Sequence, residues 1–426
     1  MDERTENLQM WRELGLDVDR HCDLLNLLRS VYPDIYMSQE NRPPAMAYFD
    51  SVVAEIHGDR VRELLEHKAR GGKVIGTFCV YVPDELIYAA GAVPIGLCGG
   101  AQFSIPDAEA VLPRNLCPLI KSFVGFKLSK LCPYFESCDL LVGETTCDGK
   151  KKTWEILADY APVHVMELPH RKGEMERELW LSEIRALRSR IEELTGNAIT
   201  PETLAGGIRT ANAKRLALSR LHETRRSSPL PISGKDALLV SQIAFYDDAE
   251  RFTKMVNTLA EQCEQRVAEG VGVVSADAPR LVVSGCPMAI PNWKLHHVVE
   301  SAGAVIVGEE TCTGTRYFEN LTDETRTTLE DQMRAIADRY LKTNCACFTP
   351  NEGRIEQIIQ LARSTNSKGV VYYSLQFCHT YNLEAVRVEK ALRDAGIPML
   401  KVEDDYSMED IGQLQTRVEA FLEQIA

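Results

Sequence analysis

Apolar residues recur at roughly helical spacing in "AMAYFDSVVAEIHGDRVRELLEHKA", which ends at Ala69. The first seventy residues read as helical throughout, punctuated by Pro43 and Pro44. Gly71 and Gly72 break that pattern. The short apolar run "KVIGTFCVY" then predicts a strand. "PDELIYAAG" predicts a helix with Pro83 in its first turn and Gly91 past its end, and "AVPIGL" a second strand. "CDLLVG" and "APVHVMEL" continue the series as buried strands. From Gly173 to about Gly196 the chain is charged and helix-prone, and the polar, Pro-rich stretch "TRRSSPLPISGKD" from Thr224 reads as a linker. The rhythm restarts near Arg280: "RLVVSG" as strand, "WKLHHVVESAG" as a helix ending at Gly303, "AVIVGE", "GVVYYSLQF" and "IPMLKVE" as strands. Alternating strand and helix implies parallel sheets.

The expected architecture is therefore α/β. It has two Rossmann-like, doubly wound parallel-sheet domains and an added N-terminal helical segment. Residues 1–70 form that segment, 71–223 the first domain, 224–279 a linker with connecting helices, and 280–426 the second domain with a C-terminal helix. The length of 426 residues suits two domains, and the 45% hydrophobic content suits a sizeable core. The decapeptides "LLVGETTCDG" (140–149) and "VIVGEETCTG" (305–314) are near-copies and suggest an old duplication.

Charge narrows the function classes. A net charge of −14 leaves no basic footprint for nucleic acid. The N-terminal "MDERTENLQMWRELG" has no apolar signal region, and no apolar run approaches the ~20 residues that span a bilayer. The expectation is a cytoplasmic protein without membrane contact. Thirteen cysteines, an odd number in a reducing compartment, then argue for metal or redox chemistry rather than a disulfide scaffold.

In open parallel sheets, ligands bind beyond the carboxyl ends of the strands. Cys79, Cys147, Cys286, Cys312 and Cys378 each follow a predicted strand, while Cys117, Cys345 and Cys347 lie in loops before helices. Cys22, Cys98 and Cys263 read as packing residues, and Cys132 and Cys138 fall between elements. Scattered thiols brought together by a fold suit an iron–sulfur cluster better than zinc, whose structural sites use closely paired ligands. The turn "GETTCDGKK" imitates a phosphate-binding loop, but five residues separate Gly143 from Gly149, and Lys151 follows Lys150 where the hydroxyl residue belongs. The chain itself is therefore not expected to bind a nucleotide.

"GTFCVYVPDELIYAAGAVPIGLCGG", "LPRNLCPLIKS", "DLLVGETTCDGKKK", "VVSGCPMAIPNWK", "GEETCTGTRYF" and "GVVYYSLQFCHTYN", in this order, resemble the 2-hydroxyacyl-CoA dehydratase and benzoyl-CoA reductase subunit family. The likeness runs from about residue 45 to the end. It implies an iron–sulfur cluster in the cleft between two Rossmann-like domains. By motif, Cys117, Cys147 and Cys378 match the three cysteines that hold a [4Fe–4S] cluster in the dehydratases. It also implies a separate homodimeric ATPase/reductase partner, carrying its own [4Fe–4S] cluster, as the electron donor.

Cys286, Cys312 and Cys345 exceed that three-cysteine set and resemble the double-cubane branch of the family, whose six cysteines hold an [8Fe–9S] cluster. Cys347 competes with Cys345, and Cys79 with Cys286. The implied activity is ATP-dependent reduction of a small molecule by a homodimer. The alternative is a 2-hydroxyacyl-CoA dehydratase subunit with one [4Fe–4S] cluster.

Other residues lie close to these motifs. His379, next to Cys378, is a candidate proton donor. Glu144, Glu309 and Glu310 read as orienting groups, and Arg316 as an anion-binding or ion-paired residue. Lys150, Lys151 and Lys152 are expected to face solvent, with one of them free to offset cluster charge. His296 and His297 are expected at the surface.

Overall fold

A computed structural model describes residues 3–426. The N-terminal segment is helical, with helices Glu3–Glu13, Val18–Tyr32, Met46–Ala54 and Asp59–Ala69. Four parallel strands follow: β1 (Val74–Thr77), β2 (Val93–Gly96), β3 (Leu140–Glu144) and β4 (Val163–Met166), in the order β2-β1-β3-β4. A second parallel sheet contains β5 (Arg280–Gly285), β6 (Val305–Glu310), β7 (Gly369–Leu375) and β8 (Met399–Asp404), in the order β6-β5-β7-β8. The two sheets share one topology, as two Rossmann-like units require. Strands β3, β6 and β7 are buried along their whole length, so near-continuous apolar runs, rather than alternation, mark them in the sequence.

The predicted strand "KVIGTFCVY" ends early. β1 stops at Thr77, and a turn closed by the Val82 amide and the Cys79 carbonyl (3.2 Å) leads to Pro83, which caps helix Asp84–Ala89. Cys79 therefore sits in a turn above the sheet rather than inside it.

The shared topology revises the meaning of the repeated decapeptide. Its first copy ends β3, an inner strand, and its second ends β6, an edge strand. Equivalent strands instead carry Cys79 and Cys286 (after β1 and β5), Cys98 and Cys312 (after β2 and β6), and Cys147 and Cys378 (after β3 and β7). The two similar turns serve different places in the fold, so their likeness does not mark equivalent positions.

Residues 224–279 hold helices Gly234–Ile243 and Ala249–Glu269. The Pro-rich stretch before them packs inward, with Leu230 and Ile232 buried. Arg225 pairs there with Glu309 through two bonds of 2.6 and 2.7 Å. The long helix Pro201–Thr224 lies against Asp84–Ala89 and Ala249–Glu269. Its Arg215 donates to Glu85 at 2.7 Å, and Glu85 also accepts from the hydroxyls of Tyr340 (2.8 Å) and Thr322 (2.9 Å). This buried network joins the helix after β1 to helix Leu329–Lys342, which follows β6.

Candidate functional site

The carboxyl ends of both sheets open onto a cavity of about 430 Å³. Nine of the thirteen cysteines line it: Cys79, Cys98, Cys117, Cys147, Cys286, Cys312, Cys345, Cys347 and Cys378. All six cysteines expected as ligands are among them. Cys22, Cys132, Cys138 and Cys263 lie elsewhere, and Cys263 is fully buried as a packing residue.

Local backbone explains the placement. Cys117, Cys147 and Cys378 are the N-cap residues of helices Pro118–Leu128, Asp148–Leu157 and His379–Asp394. The Lys150 amide points at the Cys147 sulfur at 3.5 Å. A helix N-terminus presents unpaired amides and a partial positive charge, which favour thiolate over thiol. Trp154 fixes two of these caps to each other: its indole donates to the Glu144 carbonyl (2.9 Å), and its ring stacks on Phe123 of the neighbouring helix. On the other side, Gly285 at φ 147° brings Cys286 against β7, where the Cys286 amide donates to the Tyr373 carbonyl at 2.9 Å. A Cβ at Gly285 would collide with that same carbonyl.

The thiols form two groups. In the first, Cys378 is within hydrogen-bonding reach of Cys117 and Cys286, and close enough to Cys147 to influence its charge. In the second, Cys312 meets Cys79, Cys345 meets Cys347, and Cys312 and Cys345 lie near each other. Cys286, a second-domain residue, thus joins the first-domain thiols, and Cys79 crosses the other way. Hydrogen bonds from Cys117 and then Cys286 hold the Cys378 thiol well below its ordinary value, whereas burial pushes Cys147 up. Among the described residues, no three His, Cys, Asp or Glu side chains are arranged to hold a single metal ion. A polynuclear group is wider than one ion, and its ligands stand correspondingly farther apart.

Charged side chains surround both groups. Lys150 is buried, pairs with Glu144 and donates to the Phe78 carbonyl at 3.2 Å. Burial disfavours its charge, but the Glu144 carboxylate outweighs that and raises Lys150 above its ordinary value. Only Lys151 and Lys152 face solvent, because the helix that starts at Asp148 turns Lys150 towards the cavity. Arg316 is ion-paired: its Nε donates to Glu310 at 2.5 Å, and its Nη1 reaches both the Cys312 sulfur (3.8 Å) and the Tyr381 hydroxyl. Arg354 holds the other Glu310 oxygen at 3.0 Å. Glu309 and Glu310 therefore act as buried counter-ions, in keeping with an orienting role.

His296 departs from its expected surface position. It is fully buried, with Nε2 3.3 Å from Glu309, because helix Lys294–Ser301 turns this face onto β6. His379 is exposed and lines the cavity.

Several cavity residues escaped sequence reasoning. Tyr381, whose hydroxyl lies 3.4 Å from the Cys345 sulfur, comes one helical turn after Cys378 in "CHTYN", a spacing that could have flagged it. His170 follows β4 with no motif around it.

A model of the family described as 2-hydroxyglutaryl-CoA dehydratase, D-component, matches residues 79–425. YjiM of Escherichia coli (strain K12), which carries the name of a dehydratase subunit, is 39% identical over 365 residues, 85% of this chain and 94% of YjiM. The beta subunit of (R)-phenyllactyl-CoA dehydratase from Clostridium sporogenes is 23% identical over 371 residues, 84% of this chain and 94% of that subunit. A benzoyl-CoA reductase subunit from Thauera aromatica is 21% identical over 348 residues, 80% of this chain and 87% of the reductase polypeptide. The chain belongs to the 2-hydroxyacyl-CoA dehydratase and benzoyl-CoA reductase subunit family.

Proposed function

We propose that the chain is the substrate-reducing component of an ATP-dependent reductase and holds an [8Fe–9S] double-cubane cluster. One observation carries this reading: eight thiols stand in two groups of four inside one cavity, apart from Cys98, which donates to the Phe78 carbonyl at 2.9 Å. A pair of bridged cubanes leaves three irons in each for thiolate, and each group is large enough to supply them. The ligands expected are Cys117, Cys147, Cys286, Cys312, Cys345 and Cys378, but Cys286 stands with the first group, which leaves only Cys312 and Cys345 in the second. Three thiolates per cubane therefore favour Cys79, the competitor of Cys286, as the sixth ligand, and Cys347 remains the alternate to Cys345. When bound, such a cluster supplies low-potential electrons at one place.

The chain's own residues do the rest. Three helix N-termini and the Lys150 and Arg316 cations offset the negative charge of a thiolate-ligated cluster. Phe78, Leu116 and Leu119 give the cavity apolar walls that limit water. A separate homodimeric ATPase/reductase with its own [4Fe–4S] cluster delivers the electrons to a homodimer of this chain. Among the described residues, no helix is long and apolar enough to cross a membrane, so nothing in the helices opposes a cytoplasmic setting.

Serine is a poor substitute for thiolate as an iron ligand. Cys147→Ser and Cys378→Ser are each expected to lose most of the iron and the visible absorption, while Cys22→Ser and Cys263→Ser keep both. Full iron content in the first two variants would remove these cysteines from the ligand set. We assign proton delivery to His379 at the cavity wall. His379→Ala is expected to slow partner-driven turnover by about 10²-fold with iron content unchanged. Unchanged turnover would shift this role to another group, with His170 the next to test.

The relatives named as dehydratase subunits favour a second reading, dehydration of a 2-hydroxyacyl-CoA at one [4Fe–4S] cluster held by Cys117, Cys147 and Cys378. Iron and sulfide content separates the two.

A further inference from the structure

Behind the thiol cavity lies a larger one, of about 650 Å³. It is bounded by helix Val18–Tyr32, the loop after β2, the loop that follows Cys286 and the loop after β8, and opens to solvent past Leu27 and Met408. Leu24, Leu28, Phe126 and Trp293 make its walls apolar. Gly96, Cys98, Tyr246 and Ile290 border both cavities and form the partition between them.

Three polar atoms on this wall have no hydrogen-bond partner among the described residues: the hydroxyls of Tyr246 and Tyr406, and Nδ1 of His57. The two tyrosines are only 6% and 7% exposed. Buried hydroxyls without a hydrogen bond are costly and rare. Tyr406 is unusual twice over, since its backbone adopts φ 72°, a left-handed conformation that a bulky residue seldom takes. It also stands near Cys117 and Cys286. The wall has no free charge to offer. Lys294 is fully committed, donating to the Ser407 carbonyl (2.5 Å) and to Asp410 (2.8 Å) and pairing with Asp404. Glu409 sits exposed at the rim, and burial keeps the His57 ring neutral.

A largely apolar cleft of this size, with a few unsatisfied hydrogen-bonding groups, is how proteins receive small organic ligands. We propose that the second cavity binds an uncharged molecule with an apolar body and a carbonyl-type oxygen. Tyr246 and Tyr406 hydrogen-bond the oxygen beside the partition, which places it next to the thiol cavity. The site is a property of this wall and does not depend on which group the thiols hold.

The test uses the full chain, purified anaerobically, with iron measured in every sample. Binding of acetophenone, ethylbenzene and benzoate is followed by calorimetry or saturation-transfer NMR. Acetophenone is expected to bind, ethylbenzene more weakly, and benzoate not at all, since its carboxylate would be buried without a counter-charge. Tyr246→Phe and Tyr406→Phe are each expected to weaken acetophenone binding by about tenfold and leave ethylbenzene unchanged. Both variants should fold, because each loses an unpaired buried hydroxyl. Leu28→Trp fills the cavity from a half-buried position and should weaken acetophenone binding by at least about tenfold. No acetophenone binding, binding indifferent to all three substitutions, or equal binding of benzoate would each overturn the proposal. Binding that persists in samples without iron would support this site whatever group the thiols hold.

Discussion

Cys312→Ala is expected to lower iron toward about half the wild-type content and to abolish most partner-driven reduction. Cys312 stands in the second thiol group, with Cys79 beside it and Cys345 close by. A single dehydratase-type cluster on Cys117, Cys147 and Cys378 has no use for it. A bridged pair does, because removing one thiolate uncovers an iron in the second cubane and leaves the first group intact. Iron per chain and the electron paramagnetic resonance of the reduced protein, wild type and variant side by side, check this. Full iron with the native signal and native turnover would make Cys312 a packing residue and move the single-cluster dehydratase ahead.

The largest effect on stability is expected from Arg215→Ala. Arg215 and Glu85 are 1% and 0% exposed, and the arginine is the only cation hydrogen-bonded to this carboxylate among the described residues. Truncation leaves a buried carboxylate with two hydroxyl donors and no hydrogen-bonded cation, only the less direct charge of Arg339, a loss of roughly 3 kcal/mol. The network also has a pH signature. Burial pushes the Glu85 carboxyl up, but Arg215 outweighs it and holds Glu85 at about 2, below the ordinary 4.5. A lowered carboxyl stabilises the fold fully above the unfolded value, and that contribution fades as pH falls from about 4.5 towards 2. Chemical denaturation of wild type and Arg215→Ala at neutral pH and again near pH 3 measures both effects. The gap between the two proteins should narrow at the lower pH, and a gap independent of pH would separate Glu85 from it.

Much of the fold was legible because parallel strands are buried on both faces. "CDLLVG", "AVIVGE" and "GVVYYSLQF" are apolar runs bounded by glycine or polar turns, and each became a strand within a residue or two of its expected ends. The placement of Cys147, Cys312 and Cys378 at the cavity followed from that. What stayed hidden depends on which face of an element turns inward. Lys150 looked like one of three solvent lysines, and only the helical phase set by Asp148 separates it from Lys151 and Lys152. His296 looked polar and exposed until Glu309 was in place as its partner. The grouping of Cys286 with Cys117 and Cys378 depends on how the two sheets face each other, which no local pattern encodes. The paired decapeptides misled for a related reason: sequence likeness reports a turn's local needs, not its strand's place in the sheet.

The most direct test of the central claim is iron and acid-labile sulfide per chain in protein purified without oxygen. Two groups of thiols in one cavity predict about eight irons and nine sulfides per chain. About four of each, in protein that is fully folded and fully active with the proposed ATPase, would contradict the double cubane.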